Sequence, residues 1–220
     1  MIRNVIKRMI LFFIFLNFAV YAVQPPPSVH VKNLYLEQGT DSDFSSKIIT
    51  DDEGFLWIAT DSGLKRYDGY SVKLFTHDKN VPNSIGATSI QSLIYQDGQL
   101  WAAGVNLSRY HKDTETFSAF EASDGYVIWS LLKQNNTIWL GGEGFGLRGY
   151  DIETMTLTHQ AFNQVDMRFI NDIKKDRNSD RLWIAAGTGL YLFDPKTNQA
   201  EKYLSTADIG DDNQSIEDLI

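Results

Sequence analysis

The chain of 220 residues contains no cysteine, so no disulfide and no thiolate-bound metal holds its fold, and no cysteine nucleophile serves a reaction. It has no basic surplus. A formal charge of −8 leaves nothing to neutralise a phosphate backbone, so nucleic acid is not an expected partner and the acidity serves solubility. The four histidines, His30, His77, His111 and His159, are scattered, with none at metal-ligand spacing. No Gly-x-Ser-x-Gly, His-Glu-x-x-His or phosphate-cradling glycine loop occurs. The apolar spacing lacks the 3.6-residue period of helical repeats.

One apolar run stands out, over residues 10–20, preceded by Arg3, Lys7 and Arg8 and followed by Val20-Tyr21-Ala22. That layout reads as a bacterial secretory signal, residues 1–22, cleaved after Ala22. The alternative is an N-terminal membrane anchor, for which about 14 apolar residues are short against the roughly 20 a span needs. Residues 23–30 follow as a linker, and Pro25-Pro26-Pro27 makes it a stiff, extended spacer.

Beyond the spacer one short box is written four times: Leu56-Trp57-Ile58-Ala59-Thr60, Leu100-Trp101-Ala102-Ala103-Gly104, Ile138-Trp139-Leu140-Gly141-Gly142 and Leu182-Trp183-Ile184-Ala185-Ala186. The copies lie about 38 to 44 residues apart, and such a unit cannot bury its own faces alone. Each copy follows the same order. In the first, a strand at 47–50 meets the turn Asp51-Asp52-Glu53-Gly54, and the box strand meets Asp61-Ser62-Gly63. A third strand then ends in Asp68-Gly69, the strongest short hairpin signal, before a fourth at 70–75. The copies also share Gly-Leu and Tyr-Asp or Phe-Asp, except in the second, where Asn106-Leu107 and Tyr110-His111 stand instead. Four antiparallel strands per repeat describe a propeller blade. The fold class is therefore all-β, a β-propeller of four four-stranded blades over about 44–76, 89–121, 126–160 and 168–204.

The stretch from Gly54 to Asp68 resembles the two-component regulator propeller repeat, and Lys79-Asn80-Val81-Pro82-Asn83-Ser84-Ile85 resembles that family's inter-blade loop. The resemblance spans residues 31–220. It implies a non-catalytic periplasmic sensor segment of a membrane receptor with a histidine kinase or diguanylate cyclase output, acting as a homodimer through the full-length receptor. It implies an unknown small ligand, an oligosaccharide being one candidate, no cofactor, and a membrane reached only through a later transmembrane helix. In propellers of this kind a strand such as 31–37 closes the last blade, and residues from 215 begin a fifth. The expectation is thus an incomplete ring, a fragment of a propeller of seven or more blades. Two other readings stay open: a secreted propeller enzyme acting on polysaccharide, as lyase or glycosidase, and a structural protein-binding propeller.

The repeated tryptophans Trp57, Trp101, Trp139 and Trp183 occupy equivalent strand positions between aliphatic neighbours and are expected as blade-to-blade core. Burial of one removes on the order of 200 Å² from water, up to about 5 kcal/mol. The run from Thr50 to Trp57 has most of the spacing of an Asp-box, a turn device in which the aspartate caps backbone N–H groups. Asp172, Asp176, Asn178 and Asp180 resemble a calcium loop faintly, but Arg181 and Gly187 stand where glycine and glutamate are required, so a solvated hairpin loop is expected. Ligand candidates come from topology. The loops joining second to third strands supply Asp61, Asn106, Glu143, Phe145 and Thr188. The inter-blade loops supply Tyr126 and Arg168, and Trp129 lies in an innermost strand.

Overall fold

Blade 1 is built from β1 (Ser45–Thr50), β2 (Leu56–Thr60), β3 (Gly63–Tyr67) and β4 (Val72–Phe75). Blade 2 holds β5 (Ser92–Gln96), β6 (Gln99–Ala103), β7 (Leu107–His111) and β8 (Thr116–Phe120). Blade 3 holds β9 (Ile128–Gln134), β10 (Thr137–Gly142), β11 (Leu147–Asp151) and β12 (Leu157–Ala161). Blade 4 holds β13 (Ile170–Lys175), β14 (Leu182–Ala186), β15 (Gly189–Asp194) and β16 (Gln199–Ser205). Each is a four-stranded antiparallel sheet in chain order. This computed structural model describes residues 44–162 and 168–205, all within the compact unit Gln38–Ile220. The signal peptide, the spacer, the strand expected at 31–37 and the fifth blade expected from 215 lie outside the described residues.

The first strands β1, β5, β9 and β13 pack side by side along the inner wall, and the four sheets do not close a ring. Turn chemistry sets each hairpin. Asp97 and Gly98 both take positive φ, 52° and 73°, as a two-residue primed turn requires. Glycine opens β3 and β15 for a steric reason. A Cβ on Gly63 would lie 2.5 Å from the Phe75 carbonyl oxygen, and one on Gly189 would lie 2.1 Å from that of Leu204.

Three apolar clusters fill the three seams. Trp57 packs with Ile85, Ile90, Leu93, Tyr110 and Phe117 of the blade 2 side. Trp101 packs with Ile128, Leu131 and Leu140 toward blade 3, and Trp139 with Ile170, Ile173 and Ile184 toward blade 4. These three tryptophans are 1, 1 and 2% exposed. Trp183 departs from the expectation of a buried core position, being only half-buried. Its indole meets Tyr203 edge-on at 5.1 Å, and Tyr203 is itself exposed. The reason is positional: each box tryptophan is covered by the following blade, and no described sheet follows blade 4.

Candidate functional site

Strand alternation places the β2–β3-type loops and the inter-blade connectors at one end of every blade, and hydrogen bonds knit them together. The Ile90 amide donates to the Thr60 carbonyl at 2.9 Å, and the Ile128 amide to that of Gly104 at 2.8 Å. The Glu143 amide reaches Val127, the Gly146 amide reaches Arg168 and the Gly187 amide reaches Phe169. In blades 2, 3 and 4 the residue after the leucine that follows the loop locks the preceding connector onto its blade. Ser108 Oγ accepts the Gly86 amide at 2.9 Å, and Arg148 Nη1 donates to the Ala122 carbonyl at 3.0 Å. Tyr191 packs edge-on against Phe162 at 5.1 Å. Arg148 also pairs with Asp124, and this hydrogen bond holds the Asp124 carboxyl below the usual carboxylate range. The connector face is therefore a rigid platform rather than a set of free loops.

Two features mark that face. A cleft of about 330 Å³ opens where the blade 1–blade 2 connector meets the β6–β7 loop, lined by Thr88, Ser89, Gln91, Val105, Asn106 and Val127 among others. Its size is at the lower end of ligand pockets, about 300–1,000 Å³. Asn106 stands where other blades have glycine, and its Nδ2 donates to the Gly86 carbonyl at 2.9 Å. Gln91 Nε2 donates to Ser89 Oγ at 2.8 Å. Small residues make room: a Cβ on Gly104 would lie 2.1 Å from the Ser89 carbonyl oxygen and 2.7 Å from Ala87 Cβ. No carboxylate, ammonium or guanidinium group lines this cleft, and its one titratable group is His77, whose Nδ1 lies 2.8 Å from the Ile85 carbonyl oxygen.

The second feature is aromatic. Trp129 stacks on Phe169 with centroids 6.4 Å apart and planes 29° from parallel, so side chains of blades 3 and 4 form one shelf. Phe169 is 41% exposed and Tyr126 47%, the latter lying over Gly144. Two rings left this accessible, beside a half-buried Trp129, are suited to stacking against a ligand.

The expected site residues divide accordingly. Asn106 lines the cleft, while Tyr126 and Trp129 belong to the aromatic surface. Asp61 and Glu143 are exposed at loop tips. Arg168 is half-buried with its Nε buried and unpartnered, and Thr188 Oγ1 is within 2.8 Å of the Tyr191 hydroxyl. Phe145 is a correction. It is 4% exposed and belongs to the blade 2–blade 3 core, with the Arg148 guanidinium 5.3 Å above its ring. Flanking glycines gave it an exposed look, but they let the loop fold the ring inward over Gly142. Gln91 and Phe169 were missed. A signal existed for Gln91, which follows Ile90 as Trp129 follows Ile128.

A larger cleft, about 390 Å³, lies at the opposite end between blades 1 and 2. Its charged groups are mostly spent on one another. Lys112 pairs with Glu53 at 3.0 Å, and Arg66 with Glu115 at 2.7 Å and with the Tyr110 hydroxyl at 3.1 Å. A hydrogen bond to Asp52 pushes the Tyr95 hydroxyl up. Asp51 serves the turn: Oδ1 accepts the Glu53 and Phe55 amides at 3.0 and 2.9 Å, and Oδ2 accepts Trp57 Nε1 at 2.8 Å. In blade 4, Asp176 likewise bonds Ser179 Oγ and Trp183 Nε1, and Asp180 pairs with Lys196. These carboxylates build hairpins and seams. Among the described residues no group of three or more His, Cys, Asp or Glu side chains is placed to hold a metal ion.

The fold and this face define a β-propeller in which connectors and second-to-third-strand loops share one end. No family model matches the chain, and no curated protein matches it. Solved structures do. The extracellular domain of BT4673 from B. thetaiotaomicron, ascribed to a one-component or hybrid two-component system, is 24% identical in one structure and 22% in another, with TM-scores of 0.61 and 0.62. The aligned part covers 74 and 77% of this chain and 22 and 23% of that one. The extracellular domain of BT3049, ascribed to a hybrid two-component system of the same organism, is 17% identical with a TM-score of 0.54, covering 77% of this chain and 31% of its own. The WD40 domain of Neurospora crassa Pan2 is 16% identical with a TM-score of 0.54, covering 72% of this chain and 48% of its own. These likenesses establish the propeller fold, and this chain spans less than a third of either bacterial domain.

Proposed function

We propose that the chain is a periplasmic sensing segment of a membrane-bound bacterial signal receptor, one that binds a small ligand on its connector face and carries out no chemistry of its own. The observation that carries the reading is the connector face itself, which holds a cleft lined mainly by amides, hydroxyls and apolar groups and, on blades 3 and 4, a partly exposed aromatic shelf, with seam hydrogen bonds fixing the loops around them. The fold shared with two extracellular domains of bacterial signalling proteins supports it. The cleft has no pair of carboxylates such as glycoside cleavage uses, its one titratable group being His77, which favours a binder over a glycosidase. The output would be a histidine kinase or a diguanylate cyclase, driven by a change in the geometry of a receptor homodimer.

Titration of the exported chain with oligosaccharides, followed by tryptophan fluorescence, tests the reading. A saturable change that disappears in Trp129→Ala is the expected result. Release of reducing ends from any of those oligosaccharides would replace it with the enzymatic alternative. Export is checked separately by N-terminal sequencing of the periplasmic protein, which should begin at Val23.

A further inference from the structure

The aromatic surface allows a narrower statement, which rests on the sensing role just proposed. We infer that the surface formed by Tyr126, Trp129 and Phe169 takes a flat aromatic ring carrying a carboxylate, with Arg168 anchoring the negative charge. The placement of Arg168 comes first. Its carbonyl accepts the Gly146 amide at 3.0 Å, which fixes its backbone against the β10–β11 loop of blade 3. The Tyr126 ring lies over Gly144 of that same loop. Phe169, the next residue, stacks on Trp129. The connector thus carries Arg168 into the strip of surface that holds the three rings.

Its guanidinium is the exception among the enclosed arginines. Arg66 pairs with Glu115 and Arg148 with Asp124, while Arg109 donates to Gln99 Oε1 at 3.2 Å and Arg181 to Ser179 Oγ at 3.3 Å. Arg168 is half-buried, its Nε is buried, and among the described residues it has neither a hydrogen-bond nor an ion-pair partner. A partly desolvated cation without a counter-charge is unfavourable, and a carboxylate offers the planar fork two parallel acceptors. With Nε enclosed, the Nη1–Nη2 edge is the one left for it. The ring follows from what surrounds the charge. Phe169 and Tyr126 present accessible aromatic faces, which favour offset or edge contact with another ring. Described side chains that could read a polyol are few here: the Thr188 hydroxyl is within 2.8 Å of that of Tyr191, Asn171 is already partnered, and Asp124 pairs with Arg148. Glu143, exposed on the β10–β11 loop, opposes an anion and gives a second handle on the charge.

The test uses the intact chain and three probes in calorimetry and saturation-transfer NMR: trans-cinnamate, its neutral amide cinnamamide, and galacturonate, which carries the same charge on a saturated ring. Cinnamate should bind, and the other two should bind more weakly by about tenfold or more. Arg168→Gln should weaken cinnamate by about tenfold or more and leave cinnamamide unchanged, a selective loss that misfolding cannot produce. Glu143→Gln should strengthen cinnamate by about two- to fivefold. Equal binding of cinnamate and cinnamamide, unchanged cinnamate affinity in Arg168→Gln, or weaker binding in Glu143→Gln overturns the anchoring of an anion. Galacturonate binding as tightly as cinnamate overturns the aromatic ring. If cinnamate does not bind while an oligosaccharide does, with that binding lost in Trp129→Ala, the sensing role stands and the present inference falls. Silence from cinnamate and from every oligosaccharide removes both.

Discussion

The first hairpins of blades 1 and 4 and those of blades 2 and 3 solve the same problem differently. In blades 1 and 4 the turn is long and carries a carboxylate, and the box tryptophan donates to it: Trp57 to Asp51 at 2.8 Å and Trp183 to Asp176 at 3.2 Å. In blade 2 the turn is only Asp97-Gly98, its carboxylate pairs with Lys133 instead, and the buried Nε1 of Trp101 has no partner. Yet Trp101 is as deeply buried as Trp57. The indole is thus held in place by apolar packing, and the hydrogen bond is an addition that a longer turn makes available.

Four experiments can break or sharpen that comparison. The largest effect is expected from truncation: Trp57→Ala and Trp101→Ala should each cost about 3–5 kcal/mol in urea unfolding. Trp183→Ala should cost well under half of that, because its indole is only half-buried. Equal costs for the three would show that packing does not decide. Next comes the carboxylate itself. Asp51→Ala should cost about 1–2 kcal/mol, through two turn amides and one indole N–H left without an acceptor.

The third separates the hydrogen bond from the ring. Trp57→Phe should cost about 1 kcal/mol more than Trp101→Phe, since the latter removes a buried N–H that bonds to nothing. The reverse order would mean that the unpartnered indole of Trp101 finds water. The smallest effect is on pH. Hydrogen bonds from Ser179 and then Trp183 hold the Asp176 carboxyl below its ordinary value. Its contribution is therefore present above the unfolded carboxylate value near 3.9 and is lost as pH falls through the lower folded one. Amide exchange measured down that range should loosen the 176–181 turn of blade 4 while the Asp97-Gly98 turn of blade 2 is unchanged.

The propeller itself was legible because its signals are local and repeated. The Trp box, the Gly-Leu pair and the Asp-Gly turns are each dictated by neighbours within a blade, and four copies in phase leave little choice of architecture. The Asp-box turn was legible for the same reason. What could not be read depends on contacts between blades. Trp183 has the same local sequence as Trp57, and its exposure follows only from what packs beyond it. Phe145 sits between two glycines that allow an outward or an inward ring equally, and the room beside Gly142 decides. Gln91 and Phe169 lie in connectors whose sequence varies from copy to copy, so they acquire meaning only when the seams bring them beside Asn106 and Trp129.

The Ile90–Thr60 and Ile128–Gly104 bonds describe a socket and a plug. The socket is the end of a box strand with its tryptophan face, and the plug is the isoleucine that opens the next blade's first strand. Blades 2 and 3 carry both, and blade 4 keeps Trp183 and Ala186 on one side and Ile170 on the other, while blade 1 has Ser45 where the isoleucine would stand. A gene segment encoding one blade can therefore be duplicated or lost without redesign of its neighbours. The number of blades is a quantity that heredity can adjust in whole steps, while the connectors, outside this socket, are free to diversify.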